Sequence, residues 1–156
     1  MSDSLSFLKR KIDDYIRMYR KESLKSLELS DLYDLFPEKK IMQPEITPVA
    51  IWPDNYPFAT NKGVYVILDD FLNVLYIGKA SMNVNIGTRL GKHFCYDDDK
   101  KHCKTVEVNW SVQPRYVIII SCHDSLAFEA PALEEYLLGT VDTSDNTIKP
   151  NKGSFS

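Results

Sequence analysis

Nowhere in these 156 residues is there a run of the roughly 18 consecutive apolar residues that a membrane-crossing helix needs. The N-terminus is polar and lacks the apolar core of a signal peptide. A cytoplasmic protein is therefore expected. Cysteine is scarce as well. Cys95, Cys103 and Cys122 are an odd set that completes no disulfide framework, which suits a reducing compartment. Each lies within two residues of a histidine (His93, His102, His123), yet none of the spacings is the Cys-x-x-Cys pair that usually holds structural zinc. Structural thiols are the default reading. Internal repeats and low-complexity tracts are also missing. What remains is a globular composition with room for one domain and a helical extension.

A surplus of positive charge is absent too. The net charge of −3 runs against binding of nucleic acid, whose phosphates are normally met by lysine and arginine. Distribution matters more than the total. Residues 9 to 25 hold Lys9, Arg10, Lys11, Arg17, Arg20, Lys21 and Lys25 against only Asp13, Asp14 and Glu22, while acid gathers elsewhere, notably in Asp97-Asp98-Asp99. Acidic regions are compatible with a basic face that meets a phosphate backbone.

Leu8, Ile12, Tyr15, Ile16 and Tyr19 recur at three- and four-residue steps and give an amphipathic helix over residues 4 to 22, capped by Asp3 or Ser4. A second, shorter helix is expected from Asp31 to Phe36, between Ser30 as cap and Pro37 as stop. Residues 1–36 thus read as a helical extension: a pair packed on the domain, a DNA-gripping arm or a dimerisation element. Residues 37–62 carry five of the eight prolines and read as a linker or wrapped segment. Val49-Ala50-Ile51-Trp52 is a candidate edge strand within it.

From residue 63 the texture changes to alternating β-branched and aromatic residues. Segments 63–69 and 73–78 read as a β-hairpin turning around Asp69 to Asn73. Asn85 to Phe94 reads as a helix because Ile86, Leu90 and Phe94 form one apolar line. Thr105 to Trp110 and Arg115 to Ser121 read as strands, the second nearly continuous in apolar residues and hence central. Asp124 is placed to cap a closing helix running to about Leu138, which Pro131 should kink or divide. The fold class is α+β, a small antiparallel or mixed sheet flanked by helices.

A turn centred on Asp70-Phe71 sets Tyr65 directly opposite Tyr76, so that two phenols share one face. Gly63 and Gly78 sit at strand ends, where a missing side chain permits an unusual backbone angle or close approach. Arg89 and His93, four apart, share a helix face about 100° from the apolar line. Taken singly, these are ordinary strand tyrosines and surface residues. Their order and proximity are what point to a site.

The run Gly63-Val64-Tyr65, Leu75-Tyr76-Ile77-Gly78-Lys79, Gly87-Thr88-Arg89-Leu90 and His93-Phe94 resembles the core of the GIY-YIG nucleases. Leu133-Glu134-Glu135-Tyr136-Leu137-Leu138 is similar to the family's metal-binding helix, and Lys149-Pro150-Asn151-Lys152 to its closing segment. The resemblance spans residues 63–152. This sequence departs from the family pattern in Val64 for isoleucine, in Pro131 before the metal-binding segment, and in a longer stretch from Gly139 to Ile148.

The resemblance implies a metal-dependent endonuclease that hydrolyses phosphodiester bonds in DNA, with RNA left open. Glu134 would hold one divalent ion, Mg²⁺ or Mn²⁺, with Glu129 and Glu135 as substitutes. Tyr65 would orient or deprotonate the attacking water, and Tyr76 would hydrogen-bond the phosphate or the water. Arg89 would meet the phosphoryl charge, and His93 would assist proton transfer or touch a neighbouring phosphate. Lys62, Lys79, Lys92 and Asn151 would contact the nucleic acid. The chain ends five residues beyond Asn151, so targeting is expected from residues 1–62, from loops or from a partner. One such site cuts one strand, and the N-terminal helix is the candidate two-fold contact of a homodimer. Two readings compete: a non-catalytic nucleic-acid-binding module of the same fold, and an interaction protein whose basic helix meets a partner.

Overall fold

The computed structural model describes residues 4–50, 58–96, 103–105 and 110–146. The elements are helix α1 (Ser4–Tyr19), strands β1 (Glu28–Leu29), β2 (Tyr33–Asp34), β3 (Val49–Ala50), β4 (Lys62–Leu68) and β5 (Val74–Ala80), helix α2 (Ile86–Gly91), strands β6 (Phe94–Tyr96), β7 (Cys103–Thr105) and β8 (Tyr116–Cys122), and helix α3 (Glu129–Thr140). Among the described residues, six strands make one sheet in the order β3-β2-β8-β4-β5, with β1 also on β8, while β6 and β7 form a separate ribbon. Strand β8 is central and buried along its whole length, as its unbroken apolar run requires.

The sheet has a core on each face. Val64, Val66, Leu68, Ile77, Ile118 and Ile120 pack against Leu8, Ile12 and Tyr15 of α1 and Leu133 and Leu137 of α3. Tyr65, Ile67, Leu75, Val117 and Ile119 pack on the other face against Ile86 and Leu90 of α2, together with Phe94 and Cys103. Two-residue alternation along β4 thus sends its valines to one layer and Tyr65 to the other.

Three local expectations are corrected. The helix expected from Asp31 to Phe36 is instead β2, antiparallel to β8 (Tyr33↔Val117, Asp34↔Tyr116) and parallel to β3. A six-residue helix has little stability of its own, whereas strand pairing satisfies the edge of β8 and buries the Asp34 carboxylate against Arg115 (2.8 and 3.0 Å). Second, the hairpin register places Tyr65 opposite Gly78 and Tyr76 opposite Ile67, with a register shift between Ile67 and Leu68. The turn spans residues 69–73 as expected, but the strands pair about a centre one residue later than Asp70-Phe71. Asp69 N–H donates to Asn73 O, the Asp69 carboxylate accepts from the N–H groups of Phe71 and Asn73, and Leu72 takes a left-handed φ of 65°. The offset is two residues, so the tyrosines still share a face. Third, the division of the closing helix falls ahead of Pro131, between Leu126 and Glu129, and not at the proline itself. It lies in the helix's first turn, where its missing N–H would have no intrahelical acceptor. Asp124–Leu126 forms a separate 3₁₀ turn whose start is capped by His123 Nδ1.

The strand expected at Thr105 to Trp110 is β7 up to Thr105, and residues 106–109 lie outside the described residues. Helix α2 is shorter than the expected 85–94. It is capped by Asn85, whose Oδ1 accepts from Thr88 N–H (2.9 Å). Its first turn is pinned by Gly87 N–H on Ala59 O and Ile86 N–H on Asn61 O. Among the described residues, no helix is long and apolar enough to cross a membrane.

Candidate active site

Four of the expected site residues meet on the α2 face of the sheet. Tyr65 is fully buried at the centre of β4, and the half-buried Tyr76 of β5 stacks beside it with ring centroids 6.1 Å apart. The close approach depends on Gly78. A Cβ there would lie 2.4 Å from Tyr65 Cζ and hydroxyl and 2.8 Å from Tyr76 Cε1. At Gly63 a Cβ would lie 2.2 Å from Ile120 O, so that glycine serves the contact between β4 and β8. Just beyond α2, the buried His93 directs Nε2 to the Tyr65 hydroxyl at 3.2 Å and sets its ring 5.1 Å from that of Tyr76.

Burial is the main cause that pushes the Tyr65 phenol well above its ordinary value. Tyr76 adds to this, while the Arg89 guanidinium opposes it. Tyr65 is therefore a neutral phenol near neutrality. Arg89, on α2, keeps a buried Nε with no hydrogen-bond partner among the described residues.

Glu134 comes from the other side of the edge strand, half-buried in the second turn of α3. Desolvation raises its pKa above the usual carboxylate value, Lys79 and Arg89 act in the lowering sense, and Glu135 adds to the rise. Lys79 and Arg89 are thus each within electrostatic reach of Glu134. Glu135 is exposed, and Glu129 is engaged with Arg20 and Tyr15. Lys62 is half-buried at the start of β4, and Lys92 is exposed at the C-terminal end of α2. Asn151 lies outside the described residues.

A family model for the GIY-YIG catalytic domain matches residues 61–149, more than half of the chain. The chain belongs to the GIY-YIG family. Neither a search of curated proteins nor one of solved structures gives a match. The GIY-YIG fold is nuclease-type, which makes nucleic acid the substrate class the domain points to.

Two contributors to this GIY-YIG site were not singled out in the sequence. Asn146 lies flat against the outer edge of β5, where its Oδ1 accepts from Ile77 N–H (2.9 Å) and its Nδ2 donates to Ile77 O (2.8 Å). Asp145 N–H donates to Leu75 O alongside it. The returning chain therefore holds the strand that carries Tyr76. The family match ends at 149, which includes Asn146 and stops short of Asn151. Trp110 is the second. Its ring lies parallel to Phe94 (6.2 Å), edge-on to Tyr76 (6.1 Å) and 5.7 Å from His93, so it walls the tyrosine–histidine cluster. Only the tyrosine, arginine and histidine spacing was visible in the sequence. A side chain that pairs with a distant strand edge leaves no local periodicity.

The donor set also bears on the metal the family implies. Among the described residues, no group of three or more His, Cys, Asp or Glu side chains is placed to enclose an ion. Glu134 is a single carboxylate at the rim of the cluster. That fits a hard cation such as Mg²⁺, which commonly takes one or two carboxylates and completes its shell with water and substrate phosphate.

Proposed function

We propose that this protein is an endonuclease that hydrolyses phosphodiester bonds in DNA with a divalent ion, Mg²⁺ or Mn²⁺, held by Glu134. The observation that carries this reading is the buried hydrogen bond between Tyr65 and His93 (3.2 Å), with Tyr76 at its open side and Arg89, Lys79 and Glu134 around it. Bound at Glu134, the ion supplies Lewis acidity for the phosphate and the departing 3′ oxygen. Arg89, half-buried on α2 beside the Tyr65 phenol, supplies the guanidinium for the charge that builds on the phosphoryl oxygens.

Tyr65 has no surface open to solvent, so the half-buried Tyr76 is the phenol that meets the attacking water. The proton then travels inward. Tyr76 takes it from water as it gives its own to Tyr65, and Tyr65 passes one to His93 Nε2, which becomes imidazolium. Each phenol stays neutral, which accords with the raised pKa of Tyr65. Lys62, Lys79 and Lys92 are backbone contacts that position the strand.

The test is cleavage of supercoiled plasmid with Mg²⁺, Mn²⁺ or EDTA, with Glu134→Ala run in parallel. Metal-dependent nicking or linearisation by the wild type alone supports the nuclease. The complete burial of Tyr65 favours a second reading, a nucleic-acid binder of the same fold. That reading requires no cleavage under any condition, together with binding that weakens steeply with salt.

A further inference from the structure

Helix α1 and its exit lie before the 61–149 family match, yet they grip α3 at two points one heptad apart. At the first, Arg20 and Glu129 form a two-pronged ion pair (Nε to Oε2 2.5 Å, Nη2 to Oε1 2.9 Å) with side chains only 6% and 8% exposed. Tyr15 O–H donates to the same carboxylate (2.9 Å), and Arg20 Nη2 also donates to Lys25 O (2.7 Å). At the second, Tyr136 packs against Tyr15 and Tyr19, with centroids 5.5 Å from each. On a helix turning about 100° per residue, positions 129 and 136 share one face, and position 134 points about 140–160° away from it. The grip is on the back of α3, and Glu134 faces forward toward the charges of Lys79 and Arg89.

We propose that Arg20 is a positioning residue for the metal site: the Arg20–Glu129 pair and the tyrosine contact fix the height and rotation of α3, and so set where Glu134 presents its carboxylate to the divalent ion. The inference rests on Glu134 being the metal ligand, as proposed above. It gives residues 4–25 a role inside the catalytic unit. It also explains why Arg20, which adds to the basic count of the sequence, contributes no free cation to the surface. Arginine suits the task because its planar fork fixes direction, which a lysine ammonium does not.

The test exploits the opposite charges of the two partners. Amide NMR signals of the second turn of α3 are followed as Mn²⁺ is added to wild type, Arg20→Gln, Glu129→Gln and Tyr19→Ala, with Glu134→Ala as the site control and melting temperatures recorded alongside. Through-space electrostatics alone would move the two charge variants apart. Loss of Arg20 would tighten cation binding, and loss of Glu129 would weaken it. A brace requires both to weaken it, by about tenfold, the range seen when a ligand's supporting contacts are removed. Tyr19 is 63% exposed, so Tyr19→Ala should keep the fold and weaken binding by less, in the same direction. Wild-type Mn²⁺ response in both charge variants despite lowered melting temperatures, or shifts of opposite sign, would overturn the brace. A wild-type response that survives Glu134→Ala would instead overturn the metal assignment, and the inference with it.

Discussion

Gly78 is where one missing atom decides whether the site can exist. A Cβ at that position meets the Tyr65 hydroxyl and Cζ at 2.4 Å and Tyr76 Cε1 at 2.8 Å, and both rings are hemmed in by other side chains. Gly78→Ala should cost about 1–3 kcal/mol, as overpacking of a filled core does, and should lower cleavage more than stability because both phenols move. Gly91→Ala is the matched control. A Cβ there finds nothing within 4 Å, and alanine in place of glycine in a helix is worth up to about 1 kcal/mol. Urea midpoints on both variants check the pair. The pH dependence follows from Tyr65. Its pKa is raised mainly by burial, so the phenolate is scarce at neutrality and becomes scarcer relative to an exposed tyrosine at any given pH. If the proton passes through neutral phenols, the cleavage rate should rise with pH and level off below the alkaline range in which a phenolate forms. Tyr65→Phe should flatten that profile and lower the rate by about 100-fold or more, the usual scale of a lost acid–base group. A wild-type rate that climbs steadily to pH 10 would assign the base to a phenolate instead.

At the scale of elements, β5 is both an edge strand of the sheet and a carrier of the site. Its outer edge is covered by a side chain. Asn146 supplies one acceptor and one donor to Ile77, doing for two backbone groups what a neighbouring strand would do. Asn146→Ala leaves both groups unpartnered in a buried setting and should cost about 1–3 kcal/mol. Asn146→Asp keeps the acceptor but turns a carboxylate oxygen toward Ile77 O, so it should be no better. Faster amide exchange at Ile77 in both variants, with β8 unaffected, is the measurement that checks this. Elements with long periods were legible in the sequence. The amphipathic repeat of α1, the apolar run of β8 and the alternation in β4 and β5 each carry enough residues to declare themselves. The two-residue strands β1 and β2 do not, because Leu32, Leu35 and Phe36 fit a helical line as well as a strand and only the free edge of β8 decides between them. Likewise, spacing reached Tyr65, Tyr76, Arg89 and His93, whereas Asn146 and Trp110 join the cluster through contacts across the fold.

For the whole molecule, the question is whether the segment before the family match is an attachment or part of one folding unit, and Arg115 bears on it directly. Its guanidinium is 1% exposed, and each of its five N–H donors is matched: two on Asp34, one on Asp70, and one each on the Lys39 and Lys40 carbonyls. One side chain on the central strand's entry thus ties β2, the chain that follows it and the β4–β5 turn to a single point. Removing one member of a buried pair leaves the other as an uncompensated charge, at a cost of about 3–5 kcal/mol. Arg115→Met should lose that much. Asp70→Asn should lose far less, because Asp70 is 32% exposed and an amide oxygen can still accept. The shape of the transition matters as much as its midpoint. If residues 28–50 were an attachment, Arg115→Met would release them first, and circular dichroism and fluorescence would part company during urea unfolding. Because β1 and β2 complete the edge of β8, and β8 is the strand on which β4 also pairs, the two signals should instead fall together at a lower urea concentration. The strand that positions Tyr65 would then share its stability with a segment some thirty residues before the family domain begins, and sequence changes there would alter the site without touching it.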